Sequence, residues 1–376
     1  PRRFRGAYLP APMLLAAVVL SCIHKSDHNV REGAAMPWNK EMPANPVVAV
    51  AGATGVVGRE MLKVLEQRDF PASKVKALAS ARSAGTTVPF KGTELIVEEM
   101  TPESFEGVDI ALFSAGAGVS RQFRQAVVDA GCVMIDNSSA FRQEKDVPLV
   151  VPEVNAHDLA WHSGVIANPN CSTIEMVVPL KALADAAGGI KRIVVSTYQA
   201  ASGAGMKAMN ELYNQTKQFL AGEPLTIEAF SDQIAFNVIP HIDVPVEDDY
   251  YKEEWKMVVE TKKIFGDDSI EVAPTCVRVP VLRCHAESVN VEFNGPISPE
   301  KAKEVLAATE GVTLEDDCAN FVYPMPGLKQ GTDDVYVGRV RIDRTVENGL
   351  AMWFVMDQIR KGAALNAVQI AERLLP

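Results

Sequence analysis

The sequence predicts an α/β protein whose first domain is a doubly wound parallel sheet and whose second domain is α+β. Three observations carry this. Short β-branched apolar runs alternate with helical segments from Pro46 onward, the pattern of parallel strands joined by crossover helices. The first of these runs leads into a glycine-rich turn and then a helix, as in Rossmann-type sheets. After Cys171 the strands lengthen and the alternation stops.

Taken in order, "PVVAVA" (46–51) is a short apolar run suited to a strand buried on both faces. "GATGVVG" follows, and "REMLKVLEQRDF" then shows apolar residues at helical spacing. "KVKALAS" (74–80), "VDIALFSAG" (108–116) and "CVMIDNSS" (132–139) read as further strands. "RQFRQAVVDAG" (121–131) reads as a helix closed by glycine. Downstream, 190–205 and 284–294 read as longer strands, with helices near 206–221 and over the polar stretch 247–266. The stretch 351–375 reads as one long amphipathic helix. The expected domains are an atypical leader over 1–45, a nucleotide-binding domain over 46–170, a second domain over 171–345 and a C-terminal helix within 346–376.

Composition narrows the function. The chain has 376 residues, 47% hydrophobic and 23% charged, ample for packed cores. A net charge of −11 argues against nucleic acid as a partner, because phosphate backbones need a basic field. Six cysteines (Cys22, Cys132, Cys171, Cys276, Cys284, Cys318) form no CxxC pair or Cys/His cluster, so no zinc or other metal site is expected. The leader begins "PRRFR" and continues through an apolar run broken by Pro10 and Pro12. An upstream stretch translated in error, a targeting segment and a membrane anchor (7–23) compete here. The first is favoured because the chain from Met36 reads as a cytoplasmic protein, with plastid or other targeting by 1–35 left open.

Gly52, Gly55 and Gly58 sit between strand and helix, where a tight turn brings backbone N–H groups close to a pyrophosphate. The second strand ends in "SARSAG", with Arg82 and Ser83 and no acid. A guanidinium there suits a ribose 2′-phosphate, so NADP(H) is expected in preference to NAD.

Cys171 follows Asn168-Pro169-Asn170 and opens the helix "STIEMVVPLKALADAAG". The positive pole of that helix is expected to lower its pKa and favour the thiolate. A thiolate beside a nicotinamide suits aldehyde chemistry, in which a thiohemiacetal gives up hydride. That chemistry wants a proton-handling group. Of six histidines, His241 and His285 lie in the second domain, and spacing alone leaves both open.

Eight motifs in order then carry a resemblance: "GATGVVG", "SSAFR", "VPEVN", "NPNCSTI", "STYQAASGAG", "FNVIPHID", "RVPV" followed closely by His, and "KGAALNAVQIAE". From about Pro46 to the C-terminus the sequence resembles the aspartate-β-semialdehyde dehydrogenases. The resemblance implies Cys171 as nucleophile, His285 as acid/base and Gln199 as a substrate-positioning amide, which leaves His241 structural. It implies Arg278 on the substrate α-carboxylate, Glu253 on its ammonium, and Arg142 with Lys256 on phosphate, with Asn170 beside the substrate. For the cofactor it implies Gly52, Thr54, Gly55, Val56, Val57 and Gly58 under the pyrophosphate. Arg82 and Ser83 would meet the 2′-phosphate, Ser202 and Gly203 the nicotinamide end, and Gln358 a position where relatives often carry Asn. Cys284 would be packing.

The activity implied is NADPH-dependent conversion of L-aspartyl 4-phosphate to L-aspartate 4-semialdehyde and inorganic phosphate through a cysteine thioester. The implied assembly is a homodimer or homotetramer built through the second domain, with the C-terminal helix returning to the first. N-acetyl-γ-glutamyl-phosphate reductase is the nearest alternative. Against it, an acetylated amine leaves Glu253 without a charge to meet, and that family reads "NPGCY" where this chain reads "NPNCS". A non-catalytic NADP-binding relative is the other, although every proposed chemical position holds a competent residue.

Overall fold

The computed structural model describes residues 38–376, so the apolar run of the leader lies outside the described residues. Within the expected leader, 38–45 already lie on the first domain. The Trp38 N–H donates to the His162 carbonyl at 2.9 Å, and Lys40 donates to the Gly131 carbonyl at 2.7 Å. Among the described residues no helix is long and apolar enough to cross a membrane.

The first domain runs β1 (Val47–Ala51), α1 (Val56–Gln67), β2 (Lys74–Ala79), β3 (Thr87–Phe90), β4 (Thr93–Glu99), β5 (Ile110–Phe113), α2 (Ala117–Asp129), β6 (Val133–Asp136), α3 (Pro152–Asn155) and β7 (Val165–Ala167). Its seven strands lie in the order β3-β4-β2-β1-β5-β6-β7. All neighbours are parallel except the β3–β4 hairpin. That hairpin turns on Lys91 and Gly92, both at positive φ (47° and 72°), as a two-residue turn with right-handed strand twist requires. Central β1 is fully buried from Val48 to Ala51, which explains its unbroken apolar run.

The second domain follows as α4 (Cys171–Ala186), β8 (Ile190–Gln199), α5 (Met206–Ala221), α6 (Lys252–Phe265), β9 (Glu271–Arg278), β10 (His285–Phe293), α7 (Pro299–Ala307), β11 (Val312–Leu314), β12 (Val335–Ile342) and β13 (Gly349–Met356). Its six-stranded mixed sheet has the order β11-β12-β13-β10-β8-β9. Both parts of the expected α/β plus α+β architecture are present.

One expectation is corrected. The stretch 351–375 is not a single helix: residues up to Met356 are β13, a π-helical turn spans Arg360–Ala364, and only α8 (Leu365–Arg373) is an α-helix. "AMWFVM" is apolar at every position, so it carries neither period, and pairing with β10 and β12 on its two sides decides for strand. The second sheet therefore extends beyond 345. α8 does return to the first domain, where Leu365 and Val368 join Val50, Met61 and Ile135 in one buried cluster.

Candidate active site

The nucleotide cradle is built by glycine. Gly52 has φ +88°, and a Cβ on it would lie 2.4 Å from the Ser114 carbonyl oxygen. A Cβ on Gly58 would lie 2.1 Å from the Gly52 carbonyl oxygen, so only glycine lets α1 seat on the turn. Gly55 is the N-cap and no side chain caps the helix. The first-turn N–H groups of Val56, Val57 and Gly58, just beyond Thr54, are thereby left for an anionic ligand. Arg82 and Ser83 lie in a 3₁₀ turn directly after β2, with Arg82 exposed.

Cys171 is the first residue of α4, with Asn170 as its N-cap. The Asn170 side chain accepts from the Thr173 N–H at 3.1 Å and donates through Nδ2 to Glu253 Oε1 at 2.9 Å. Glu253 Oε1 also accepts from Gln199 Nε2 at 3.1 Å, and Gln199 is the last residue of β8. One carboxylate thus ties the cap of α4 to the glutamine. Burial works against the charge on Glu253. The Lys256 ammonium at 2.9 Å and the bonds from Asn170 and Gln199 outweigh it, holding the carboxyl at about 2.

The expected thiolate meets an opposing force. Burial pushes the Cys171 thiol up to about 12 and Glu253 adds to the rise, against the pull of Arg142, Arg278 and Lys256. Desolvation outweighs the helix pole, so the resting thiol is protonated.

His285 opens β10 and is fully buried. Its Nδ1 accepts the Ala200 N–H at 3.0 Å. A backbone N–H can only donate, so the neutral ring carries its proton on Nε2. Burial lowers the imidazole to about 3, with Arg278 pushing the same way. Nε2 lies 3.4 Å from Gln199 Nε2. The Gln199 carbonyl oxygen is taken by the Thr197 hydroxyl at 2.9 Å, so its NH₂ faces the ring. Two donors converge on one spot, an arrangement that suits a negatively charged oxygen.

Arg278 ends β9, 6% exposed, with Nη1 donating to the Ala200 carbonyl at 2.6 Å. A Cβ on Gly203 would lie 2.8 Å from Arg278 Nη1 and 3.3 Å from His285 Nε2, which places the Ser202–Gly203 turn directly over both. Gln358 clamps this turn: it donates to the Ser202 hydroxyl and accepts from the Cys284 N–H at 3.0 Å. Both ends of its amide are therefore committed to the protein. Cys284 is fully buried against Ala286 and Val355, as expected of a packing residue. His241 lies apart, bonded to Ser231 and stacked on Tyr251.

Arg142 and Lys256 are held differently. Arg142 donates to the carbonyls of Ser138 and Asn137, each at 3.0 Å, and to Glu260 Oε1 at 3.1 Å, keeping one further N–H on each Nη. Lys256 is drawn to Glu253 and Asp243.

Glu260 was not legible as a site residue. It is 1% exposed, and its second oxygen accepts the Asn170 N–H at 2.6 Å. It therefore joins the arginine to the residue before Cys171. The spacing 253, 256, 260 on one helical face was its signal. Gly362 was missed too: a Cβ there would lie 2.8 Å from Cys171 Cβ, so the π turn packs straight onto that residue. Replacing Glu260 by alanine strands a buried guanidinium and an N-cap N–H. The expected loss is about 3–5 kcal/mol, read as a lower urea midpoint at unchanged m-value.

Known proteins resemble this chain over most of its length. Residues 47–162 match the family model of the semialdehyde dehydrogenase NAD-binding domain, and residues 180–361 that of the semialdehyde dehydrogenase dimerisation domain. The aspartate-semialdehyde dehydrogenase of Aquifex aeolicus is 55% identical over 332 residues, covering 87% of this chain and 97% of its own. A crystal structure of aspartate semialdehyde dehydrogenase II from Vibrio cholerae, complexed with ASA, superposes with TM-score 0.85 at 48% identity, covering 88% of this chain and 98% of the other. That of the Candida albicans enzyme with NADP gives TM-score 0.70 at 26% identity, covering 88% and 98%.

Proposed function

The chain belongs to the aspartate-semialdehyde dehydrogenase family, and from that premise we propose that Cys171, Gln199 and His285 carry out its chemistry. The reaction is reduction of L-aspartyl 4-phosphate to L-aspartate 4-semialdehyde with release of phosphate, a step that lysine, threonine and methionine synthesis share. The observation that carries the assignment is the convergence of the Cys171 helix start, the Gln199 amide and the His285 Nε2–H through Asn170 and Glu253.

Arg278 grips the α-carboxylate with its planar fork, and the ionised Glu253 meets the ammonium. Arg142 and Lys256 take the phosphate, which competes with Glu253 and Asp243 for the lysine. The Cys171 sulfur attacks the acyl carbon and gives up its proton to the phosphate as the carbon–oxygen bond to that group breaks, leaving a thioester and inorganic phosphate. When bound, the reduced nicotinamide supplies a hydride. In both tetrahedral stages the carbonyl oxygen is negative, and His285 Nε2–H and Gln199 Nε2 donate to it. The carbon–sulfur bond then breaks as the carbonyl re-forms, which returns the thiolate and frees the aldehyde. Neither collapse demands a proton from His285, so a neutral donor suffices.

The cofactor is a nicotinamide dinucleotide, and we infer NADP(H) from Arg82 with Ser83 at the ribose end. Gly52, Thr54, Gly55, Val56, Val57 and Gly58 would carry the pyrophosphate, and Ser202 with Gly203 the nicotinamide end. Arg82→Ala is expected to raise KM for NADP about 10- to 100-fold, the worth of a charged hydrogen bond, and to leave KM for NAD unchanged. Steady-state kinetics with both cofactors check it. The dimerisation-domain match supports a homo-oligomer, which we infer to be a homodimer or a homotetramer; sedimentation distinguishes them.

The deciding experiment is NADP reduction by L-aspartate 4-semialdehyde with and without phosphate, in the wild type and in Cys171→Ala. Phosphate-dependent turnover that vanishes in the variant is expected. Folded protein that binds NADPH and turns over nothing would overturn the assignment.

A further inference from the structure

Two buried acids are left unused by this chemistry. Glu175 and Glu287 are both fully buried, and none of their carboxyl oxygens has a hydrogen-bond partner among the described residues. Both flank the reacting groups. Glu175 lies one turn beyond Cys171 on the same face of α4. Glu287 lies two residues beyond His285 on the same face of β10. α4 packs on β10, which brings the two faces together.

The titratable groups around them offer no counter-charge. Cys284 at the head of β10 feels Glu175, and Cys276 on β9 feels Glu287. Burial keeps both of these thiols neutral, as it does Cys171 and His285. Neither carboxyl has a basic partner among the described residues. Burial raises both acids, and the charge of Glu175 raises Glu287 further. Two like charges in such a place would be far costlier than two acids bonded to each other.

We propose that Glu175 and Glu287 form a protonated carboxyl pair, each O–H donating to the other, which keeps their own negative charge from adding to that of Glu253 near Cys171 and His285. Mutual bonding satisfies the oxygens that are otherwise orphaned. It also adds no further buried anion to Glu253, whose charge already opposes that of the thiolate. These are positioning residues, since neither touches substrate. The inference rests on Cys171 and His285 being the reacting groups, but neither readout below uses turnover, so the two readings fail separately.

The first readout is the infrared spectrum of the full chain with ¹³C-labelled glutamate, which separates these groups from the buried Asp136. A neutral-carboxyl band at about pH 7 is expected, lost in Glu175→Gln/Glu287→Gln. The second is the pH midpoint of Cys171 alkylation in a Cys22→Ser/Cys318→Ser background. It is expected to agree between the Gln pair and the parent to within a few tenths of a pH unit, roughly the resolution of such a titration. Absence of the band from the labelled parent overturns the proposal, whether or not the variants fold. So does a midpoint that drops by about one unit or more in the Gln pair, because the parent would then carry charge there.

Discussion

Cys171→Ser is expected to lower kcat by about 10,000-fold or more, while NADPH binding and Tm stay near those of the parent. Serine fits the space, so the loss is chemical. An alcohol at this position would need a base to become a nucleophile, and none is at hand. His285 offers Nε2 with its proton on, and Nδ1 is already taken by the Ala200 N–H at 3.0 Å. The usual serine–histidine rescue is therefore closed to this variant. A thiol needs less help, because it is intrinsically far more acidic than an alcohol, at about 8.5 when free. The check is single-turnover kinetics with mass detection of the acyl-enzyme, which the variant is expected not to accumulate.

His285→Asn is expected to reduce kcat by about 100- to 1,000-fold, the loss seen when one preorganised oxyanion donor is removed or misplaced. Asparagine keeps a donor but on a shorter arm, and the Ala200 N–H loses its ring acceptor. Because burial holds His285 at about 3, kcat/KM of the parent is expected to show no acid limb from this group between about pH 5 and 7. Stability carries the complementary sign. The folded value lies below the unfolded value of about 6.5, so the unfolded chain takes up the proton first as pH falls. The stabilisation is complete above about pH 6.5 and declines by about 1.4 kcal/mol per pH unit until the folded value is reached. His285→Asn is therefore expected to unfold less steeply with acid than the parent, with His162, lowered to about 4 by burial, and the carboxyl of Glu253 among the groups that contribute to the remaining slope. Urea midpoints at a series of pH values test this.

The sequence spoke clearest where one residue type does one local job. "GATGVVG" has to be a turn in which Gly52 and Gly58 admit no Cβ, and Cys171 after "NPN" has to be a helix start. It was silent where the decision is made across the chain. Glu260 reads as one more charge on a polar helix, and only the fold brings Arg142 and Asn170 to its two oxygens. "AMWFVM" gained its strand identity from neighbours more than ten residues away. The resting thiol was misjudged for a similar reason. The helix pole can be read from the residues after Cys171, but the desolvation that outweighs it comes from the π turn, from β10 and from α6.

The position of β13 also bears on how the protein is made. It lies between β10 and β12, in the interior of the second sheet, and α8 after it completes the cluster under the first. Neither core is whole until residues 349–373 have left the ribosome, however early the nucleotide turn has formed. Gly362, against the nucleophile, belongs to that late segment. A competent thiol thus waits on residues far beyond Cys171, and a nascent chain stalled short of Gly349 would carry every proposed reacting residue and still have no active site.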